Sequence, residues 1–393
     1  MIVTPLAIHS PRAVRDTLLA HGWDSTRAGT ASAGLGPLAV RFDGVTAEVL
    51  EALVRQAGKL GLDVITGDDW AILAGSFARL GALARPWVQP PELADLCYRL
   101  GLALPPDAVT EWVTARGTVS LSAPVLIGIL NVTPDSFSDG GRFVAPEAAL
   151  AQAERLLEDG AGILDIGGES TRPAARQPVT EAEELARVLP LIEALVSRHP
   201  SVLLSVDTVK SAVARAALEA GAAIVNDVSG FRLDPSMAGV VATAGSGVVL
   251  MHSRGPLSEI SSEVHADYAG DVTAAVVTEL GAAVERATRA GVAAQRIVVD
   301  PGFGFGKTAA QSLVLLDGLA ALRSLGRPVL VGPSRKRFLG EATGRDVAER
   351  DVATAAACVV AYERGARLFR VHAVAVARDA LAVAHATREG PEA

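Results

Sequence analysis

The sequence predicts an α/β protein: a (β/α)8 TIM barrel preceded by a small α/β domain. From about residue 124 onward, a short apolar run, a polar or glycine-bearing turn and an Ala/Leu-rich amphipathic stretch follow one another repeatedly. Runs of Val, Ile and Leu that do not alternate with polar residues are typical of parallel strands covered on both faces. Eight such units within the ~250 residues that a barrel needs favour a barrel over a doubly wound open sheet.

The predicted barrel, residues 120–388, alternates strands with helices. Strands are expected at Val125–Asn131, Gly162–Gly167, Val202–Asp207, Ala223–Asp227, Gly247–His252, Ile297–Gly302, Pro328–Ser334 and Arg367–His372. Helices are expected at Pro146–Glu158, Thr180–Ser197, Lys210–Ala220, Asp271–Ala290, Ala309–Ser324, Ala348–Glu363 and Val374–His385. Several of these segments begin at Asp, Thr or Pro and end at Gly, as helix termini prefer.

Residues 1–115 have a different pattern and are predicted to form a separate accessory α/β domain of unknown role. Helices are expected at Arg12–His21 and Thr46–Gly61, and Asp68 or Asp69 is expected to cap a third helix that continues through Leu83. Prolines near residues 86–91 and 105–106 mark the boundary. The domain carries no chemical motif.

Composition excludes several classes of protein. The chain has 36 Lys and Arg against 44 Asp and Glu, for a net charge of −8, so a general binder of nucleic acid or of anionic membranes is disfavoured, although a local basic pocket is not. The two cysteines lie far apart, which excludes a disulfide framework and fits a reducing cytoplasm. We expect no leader peptide, and no apolar stretch reaches the ~18 residues that spanning a bilayer requires. We therefore expect a soluble cytoplasmic protein that acts on small molecules.

A polar residue stands at or near the end of every predicted barrel strand. The active site of a barrel lies at the carboxyl ends of its strands. A single Asp or Asn at such a place is most often the cap of the next helix, but eight polar ends that converge on one rim favour a binding site. The residues are Asn131, Asp165, Asp207, Asn226, His252, Asp300, Lys336 and the pair Arg370 and His372.

Two loops and the last two strands suggest a pocket for a flat ligand and an anion. Loop 131–143 is polar and glycine-containing and carries Phe137, which suits a lid over a flat ligand. Loop 167–173 offers hydroxyl groups and Arg172, whose guanidinium can bind phosphate through two hydrogen bonds. Basic residues follow strands seven and eight, where barrels most often bind phosphate.

No sequence pattern indicates a catalytic triad, a zinc site or a nucleotide loop. The stretch from Asp300 to Thr308 resembles a phosphate-binding loop but has Pro301 where that motif needs glycine. The seven histidines are scattered and form no H-E-x-x-H motif. Any metal is therefore expected to be a hard cation held by oxygen ligands and substrate phosphates, for which Mg²⁺ is the natural choice.

Together these motifs resemble the dihydropteroate synthase family of pterin-binding enzymes across residues 122–388. The resemblance implies a transferase of folate biosynthesis that condenses 6-hydroxymethyl-7,8-dihydropterin pyrophosphate with 4-aminobenzoate, giving 7,8-dihydropteroate and pyrophosphate. It further implies a homodimer and a sulfonamide target. The motifs that carry it, in the family's order and spacing, are Gly128–Gly141, Asp165–Pro173, Ser205–Thr208, Asn226-Asp227, Leu250–His252, Asp300–Lys307, Ser334–Lys336 and Arg370–His372.

The same resemblance implies a role for each site residue. The catalytic set would be Asn131, Asp207, Lys336, Arg370 and His372. The pterin ring would be bound by Thr171, Asp207, Asn226, Met251, Asp300, Lys336 and Arg370. Pyrophosphate would be held by Asn131, Thr171, Arg172, Arg370 and His372, with Mg²⁺ at Asn131. The 4-aminobenzoate pocket would be formed by Phe137, Asp139, Arg172, Pro173, Phe305 and Ser334.

Two alternatives and one departure from the family pattern stay open. A methyltetrahydrofolate-dependent corrinoid methyltransferase would share the pterin-binding Asp and Asn residues but has no use for Ser170–Pro173 or for the anion pair Arg370 and His372. A non-catalytic pterin-binding protein is expected to have lost pyrophosphate or 4-aminobenzoate residues, and none is lost. The family often has Asp after His372, whereas Ala373 stands here and is expected to support His372 less.

Overall fold

The structure, a computed structural model, describes residues 2–6, 38–75, 77–84, 90–103, 109–132, 146–169, 179–268 and 272–389. The chain divides into two compact units, Met1–Pro106 and Asp107–Ala393. Residues 107–115, which the sequence analysis assigns to the leading domain, thus belong to the second unit. The reason is that they contain a strand of a hairpin whose contacts are with the barrel.

The first unit contains a four-stranded antiparallel sheet. Its strands lie in the order β1-β2-β4-β3, and their bounds are β1 (Ile2–Leu6), β2 (Leu38–Asp43), β3 (Asp63–Thr66) and β4 (Trp70–Gly75). Its helices are Ala47–Leu60, Phe77–Leu83 and Ala94–Ala103, the last preceded by a 3-10 turn at Pro91–Leu93. Phe42, Leu53, Leu73, Leu80 and Leu96 lie in its buried core.

One of the three helices predicted in this unit is confirmed. Helix Ala47–Leu60 begins after Thr46 and ends at Gly61, as the sequence analysis expects. The helix predicted from Asp68 or Asp69 through Leu83 is wrong in its first half, because Trp70–Gly75 is strand β4, which pairs with both β2 and β3. A short, fully apolar run fits a buried strand and a buried helix equally well. The predicted helix Arg12–His21 lies outside the described residues.

The second unit contains eight parallel strands arranged as a barrel, which confirms the predicted fold class. The sheet order is β12-β11-β10-β9-β8-β7-β14-β13, and a parallel bridge between Val299 and Val329 joins the first and last strands of that order. The strands are β7 (Val125–Asn131), β8 (Ile163–Gly167), β9 (Leu203–Asp207), β10 (Ile224–Asp227), β11 (Gly247–Met251), β12 (Ile297–Asp300), β13 (Leu330–Val331) and β14 (Leu368–Val371). Strand β13 is shorter than predicted because Pro328 and Pro333 flank it and cannot donate to a sheet.

Helices cover the outside of this barrel. The α-helices are Pro146–Glu158, Glu181–Arg198, Ser211–Glu219, Met237–Ala244, Val272–Arg289, Ala309–Asp317, Arg337–Thr343, Asp351–Glu363 and Val374–Glu389, with 3-10 turns at Leu257–Glu259, Ala294–Arg296, Leu319–Leu325 and Val347–Glu349. Helix Met237–Ala244 is not among the predicted helices, because it is apolar nearly all round and so has no amphipathic period. None of the described helices is long and apolar enough to cross a membrane.

A short hairpin closes the amino-terminal end of the barrel. It is formed by β5 (Glu111–Val113) and β6 (Thr118–Ser120). The Trp112 side chain is fully buried in a cluster with the first residues of several strands, among them Ile163, Ile224 and Leu368. Its indole N–H donates to the carbonyl oxygen of Arg296 at 2.9 Å. The polar strand ends therefore lie at the opposite, carboxyl end of the barrel, here called the carboxyl rim.

Candidate active site

Neighbouring strands bring Asn131, Asp207 and Asn226 to one level of the carboxyl rim. Asn131 lies opposite Gly167, Gly167 opposite Asp207, and Asp207 opposite Asn226. A Cβ atom at Gly167 would lie 3.3 Å from Asn131 Oδ1 and 3.6 Å from Asp207 Cβ. The side chains of Asn131 and Asp207 thus face the space above this glycine.

Arg370 on β14 connects two other predicted pterin-binding residues, Asp207 directly and Asn226 through Asp165. Its Nε donates to Asp165 Oδ2 at 2.5 Å, and its Nη2 donates to Asp207 Oδ2 at 2.7 Å. Asp165 Oδ2 also accepts from Asn226 Nδ2 at 3.0 Å. Charged hydrogen bonds of this kind fix both partners in place. The sequence analysis places Asp165 at a strand end but gives it no role, and its role here is to hold Arg370 and Asn226.

Burial controls the charges in this network. Burial raises the pKa of Asp207 to about 7, against the attraction of Arg370 and with the repulsion of Asp165. Burial works against the charge of Arg370, yet the attraction of Asp165 and Asp207 raises its pKa above the ordinary value. The guanidinium is therefore charged, while the Asp207 carboxyl titrates near neutral pH.

Asp300 ends β12 beside Met251, its partner in the register with β11. The backbone N–H of Gly302 donates to Asp300 Oδ1 at 2.7 Å. Burial raises the pKa of Asp300 to about 6, opposed by that hydrogen bond and by the charges of Lys336 and Arg370. Gly302 has φ of +66°, and a Cβ atom there would lie 2.0 Å from the carbonyl oxygen of His252. Only glycine fits this close approach.

Two further pairs of predicted residues meet at the rim. The ammonium nitrogen of Lys336 lies 3.7 Å from the centre of the Phe305 ring, within the range of a cation–π contact. The hydroxyl of Ser334 lies 2.8 Å from His372 Nδ1 and accepts from the His372 backbone N–H at 3.1 Å. Ser334 thus supports His372, at a position where the sequence analysis expects weaker support because Ala373 replaces the family's frequent Asp.

A set of contacts outside the sequence prediction holds the segment between Ser334 and Lys336. Arg335 adopts a left-handed backbone, φ +56°, which is unusual for a non-glycine residue. Its guanidinium bonds to both Asp351 carboxylate oxygens, at 2.7 and 2.9 Å, and its backbone N–H donates to the Thr354 hydroxyl at 3.1 Å. We call Arg335, Asp351 and Thr354 the Arg335 clamp. Strained residues of this kind persist where the surroundings hold them.

The ends of the second loop are also held by residues that the sequence analysis did not select. The Lys210 ammonium bonds to Glu169 Oε2 at 2.6 Å and to Glu184 Oε2 at 2.5 Å. The backbone N–H of Val179 donates to the other oxygen of Glu169 at 2.9 Å. Residues 169 and 179 are therefore tied to each other. Lys210 and Glu184 look like ordinary helix-terminus and helix-surface residues in the sequence, so no sequence signal marks them.

Five predicted site residues lie outside the described residues and stay predictions. They are Phe137 and Asp139 of the first loop and Thr171, Arg172 and Pro173 of the second. The other ten, Asn131, Asp207, Asn226, Met251, Asp300, Phe305, Ser334, Lys336, Arg370 and His372, lie at the carboxyl ends of strands or in the loops that follow them.

Comparisons with known proteins show which family this chain resembles. A model of the pterin binding enzyme family matches residues 127–372. Dihydropteroate synthase of Mycobacterium leprae is 44% identical over 281 residues, which cover 70% of this chain and 97% of that protein. A probable bifunctional folylpolyglutamate synthase/dihydropteroate synthase of Halobacterium salinarum is 48% identical over 304 residues, which cover 76% of this chain but 35% of that longer protein.

A solved structure resembles the barrel as well. Xanthomonas albilineans dihydropteroate synthase with 4-aminobenzoic acid matches with a TM-score of 0.65 and 47% identity, over 70% of this chain and 96% of that chain. The matched share is close to the extent of the barrel unit. The chain therefore belongs to the dihydropteroate synthase family of pterin-binding enzymes, which are transferases.

Proposed function

We propose that the barrel condenses 6-hydroxymethyl-7,8-dihydropterin pyrophosphate with 4-aminobenzoate, giving 7,8-dihydropteroate and pyrophosphate. The observation that carries this proposal is the network in which Arg370 joins Asp165 and Asp207, with Asn226 bonded to the same Asp165 oxygen. It presents carboxylate, amide and guanidinium groups side by side, which suits a heterocycle whose edge alternates donors and acceptors. Relatives at 42–48% identity that are named dihydropteroate synthases support the same assignment.

The carboxylates of Asp207 and Asp300 would accept hydrogen bonds from the amino and ring N–H groups of the pterin. Burial raises their pKa values, to about 7 and about 6, and the N–H donors of a bound pterin would replace the water that these buried groups lack. A site built to hydrogen-bond a polar edge rejects rings that lack it, because its buried groups are then left unpaired. Met251, 5% exposed, would lie beneath the ring.

In the reaction, the bond between the pterin methylene and the leaving pyrophosphate oxygen breaks, and a bond from the same methylene to the aniline nitrogen forms. The bonding electrons leave with pyrophosphate, and the aniline nitrogen loses its proton to water. Arg370, whose Nε and Nη2 are held by two carboxylates, and His372, bonded to Ser334, would stabilise the negative charge that develops. Phe305, whose ring lies against the Lys336 ammonium, and Ser334 would bound the 4-aminobenzoate pocket.

We also propose that Asn131 is a ligand of Mg²⁺ in this site. Among the described residues, no three His, Cys, Asp or Glu side chains are grouped to hold a metal. The amide oxygen of Asn131, which faces the space above Gly167, is a hard ligand of the kind Mg²⁺ accepts. An ion that takes one protein ligand and completes its shell with substrate phosphates and waters fits this donor set. When bound, it would neutralise charge on the pyrophosphate.

We further propose that the chain acts in the cytoplasm as a homodimer. Its two cysteines, Cys97 and Cys358, are both buried and unpaired, which is consistent with a reducing compartment. Sedimentation of the full chain tests the oligomeric state, and a monomer at micromolar concentration would refute the dimer.

The decisive experiment measures pyrophosphate release from the dihydropterin substrate by the purified full chain with Mg²⁺. We expect release only when 4-aminobenzoate or a sulfonamide is present to react with the pterin. Asp207→Asn, which keeps the shape but removes the carboxylate, should bind the pterin more weakly and form little product. Pterin binding without any product, under conditions in which both substrates are present, would instead favour a non-catalytic pterin-binding protein.

A further inference from the structure

Lys307 is a buried lysine to which the proposed reaction gives no role. It ends the loop between β12 and helix Ala309–Asp317, and it is 1% exposed. Its ammonium nitrogen contacts three acceptors: His252 Nδ1 at 2.8 Å and the carbonyl oxygens of Gly302 and Phe305, both at 3.0 Å. An ammonium has three N–H donors, so these contacts use all of them. Burial lowers the pKa of Lys307 to about 7, so keeping the ammonium charged in this place is costly and requires a reason.

A carboxylate at the protein surface supports this ammonium through a histidine. While Lys307 is charged it can only donate, so His252 Nδ1 accepts and the ring proton lies on Nε2, which is 3.1 Å from Glu279 Oε2. Burial and the charge of Lys307 lower the pKa of His252 to about 4, so the imidazole is neutral. Glu279 also pairs with Arg254. The chain Glu279, His252, Lys307 therefore leads from the surface to the loop of the active site.

The two backbone carbonyls that Lys307 holds belong to residues of the site itself. Gly302 gives the N–H that fixes the Asp300 carboxylate, at 2.7 Å. Phe305 gives the ring that lies against the Lys336 ammonium, at 3.7 Å. Lys307 thus ties the two ends of the segment 302–305 to one nitrogen atom. Loss of that nitrogen would therefore release the carbonyl groups at both ends of the segment.

We propose that Lys307 is a positioning residue of the synthase, which holds the segment 302–305 so that Phe305 stays against Lys336 in the 4-aminobenzoate pocket. This inference rests on the proposed function, because that function makes 4-aminobenzoate the substrate of the pocket. Lys307 acts from beneath the loop, through backbone carbonyls, and not on the reacting atoms. Its effect on 4-aminobenzoate should therefore depend on the Phe305 ring being present.

A double-mutant cycle tests this dependence. Lys307→Met keeps the length of the side chain but removes the charge and the three hydrogen bonds, and Phe305→Ala removes the ring while leaving its carbonyl. We expect Lys307→Met to raise KM for 4-aminobenzoate about fivefold or more in the wild-type background, and less than about twofold in the Phe305→Ala background. The same factor in both backgrounds would mean a general structural role and would overturn the proposal.

A second variant covers the case in which Lys307→Met does not fold. Glu279→Gln changes a side chain that is 39% exposed and weakens support of His252 without opening the core. We expect a smaller rise in the same KM, about twofold, that disappears in Phe305→Ala. The matched control is Glu285→Gln. Glu285 lies on the same helix, and in the described contacts it pairs only with Arg289 at the surface, so this variant should leave KM unchanged. The same rise in KM in both Gln variants, or no rise in Glu279→Gln, would show that Glu279 does not support Lys307 through His252.

Hydrogen exchange separates this inference from the proposed function. The amides of residues 302–305 should exchange faster in Lys307→Met, or in Glu279→Gln, than in wild type, whereas those of strand β9 should not. If the wild-type chain forms no dihydropteroate, the proposed function fails, yet the exchange result still decides the role of Lys307. Unchanged exchange in the segment would refute it.

Discussion

Gly302 offers the sharpest test of the site geometry, because a single methyl group there meets the backbone of the neighbouring strand. With alanine at this position, Cβ would lie 2.0 Å from the carbonyl oxygen of His252 and 3.1 Å from its carbonyl carbon. The oxygen must therefore move by about 1 Å to reach a normal contact. The backbone N–H of His252 donates to the carbonyl oxygen of Asp300 at 2.9 Å. Movement of His252 would therefore disturb the end of β12.

The expected cost has two parts. The left-handed backbone, φ +66°, adds about 1–2 kcal/mol for any residue with a Cβ atom. Forcing a methyl group into filled space adds about 1–3 kcal/mol. We expect Gly302→Ala to lower the free energy of unfolding by about 2–5 kcal/mol, and to weaken pterin binding because the amide that fixes Asp300 is displaced.

Gly344→Ala is the matched control. Gly344 ends helix Arg337–Thr343 with φ of +69°, and a Cβ atom there would have no neighbour within 4 Å. It should therefore lose only about 1 kcal/mol, with unchanged affinity for the pterin. Urea denaturation gives both free energies, and titration with the pterin gives both affinities. Equal losses of stability in the two variants, or normal pterin binding by Gly302→Ala, would refute the reasoning.

Three other predictions follow from the site and the barrel. Burial raises the pKa of Asp207 to about 7, and the proposed contact with the pterin needs the ionised carboxylate, so affinity for the pterin should fall as the pH drops from 8 to 5. Constant affinity in calorimetric titration would contradict this. Trp112→Ala should lower the free energy of unfolding by about 3–5 kcal/mol in urea, and Trp112→Phe by clearly less; similar losses would mean that the hairpin does not support the barrel. Asp351→Asn should loosen Arg335 and raise KM for 4-aminobenzoate, whereas Asp317→Asn, which breaks an exposed ion pair, should leave the kinetics unchanged.

The barrel could be predicted from the sequence because each of its strands is buried on both faces and so appears as a continuous apolar run. Strand β7, Val125–Asn131, has the predicted bounds, and most of the others differ by one or two residues. The same reasoning fails at Trp70–Gly75, where an apolar run in the leading unit is equally compatible with a helix. It also misses helix Met237–Ala244, whose sequence lacks a polar face.

The site could be predicted only as far as residue types at strand ends allow. Polar residues such as Asp207 and Arg370 are visible there, since they interrupt apolar runs. Their partners are not, because the bond between Arg370 and Asp165 joins residues 205 positions apart and depends on the closing of the barrel. Lys307 is hidden for another reason: in the sequence it looks like a solvated lysine after a glycine-rich loop.

The Trp112 hairpin also has a kinetic consequence. The indole and the apolar layer above it fill the amino-terminal end of the barrel, so that among the described residues no passage leads through the barrel axis. Under the proposed function, both substrates would then enter, and both products would leave, at the carboxyl rim. The proposed pterin residues Asp207 and Asp300 end strands, whereas Phe305 and Ser334 of the proposed 4-aminobenzoate pocket lie in loops, so we expect the pterin to enter first and a product that leaves slowly to block the next turnover.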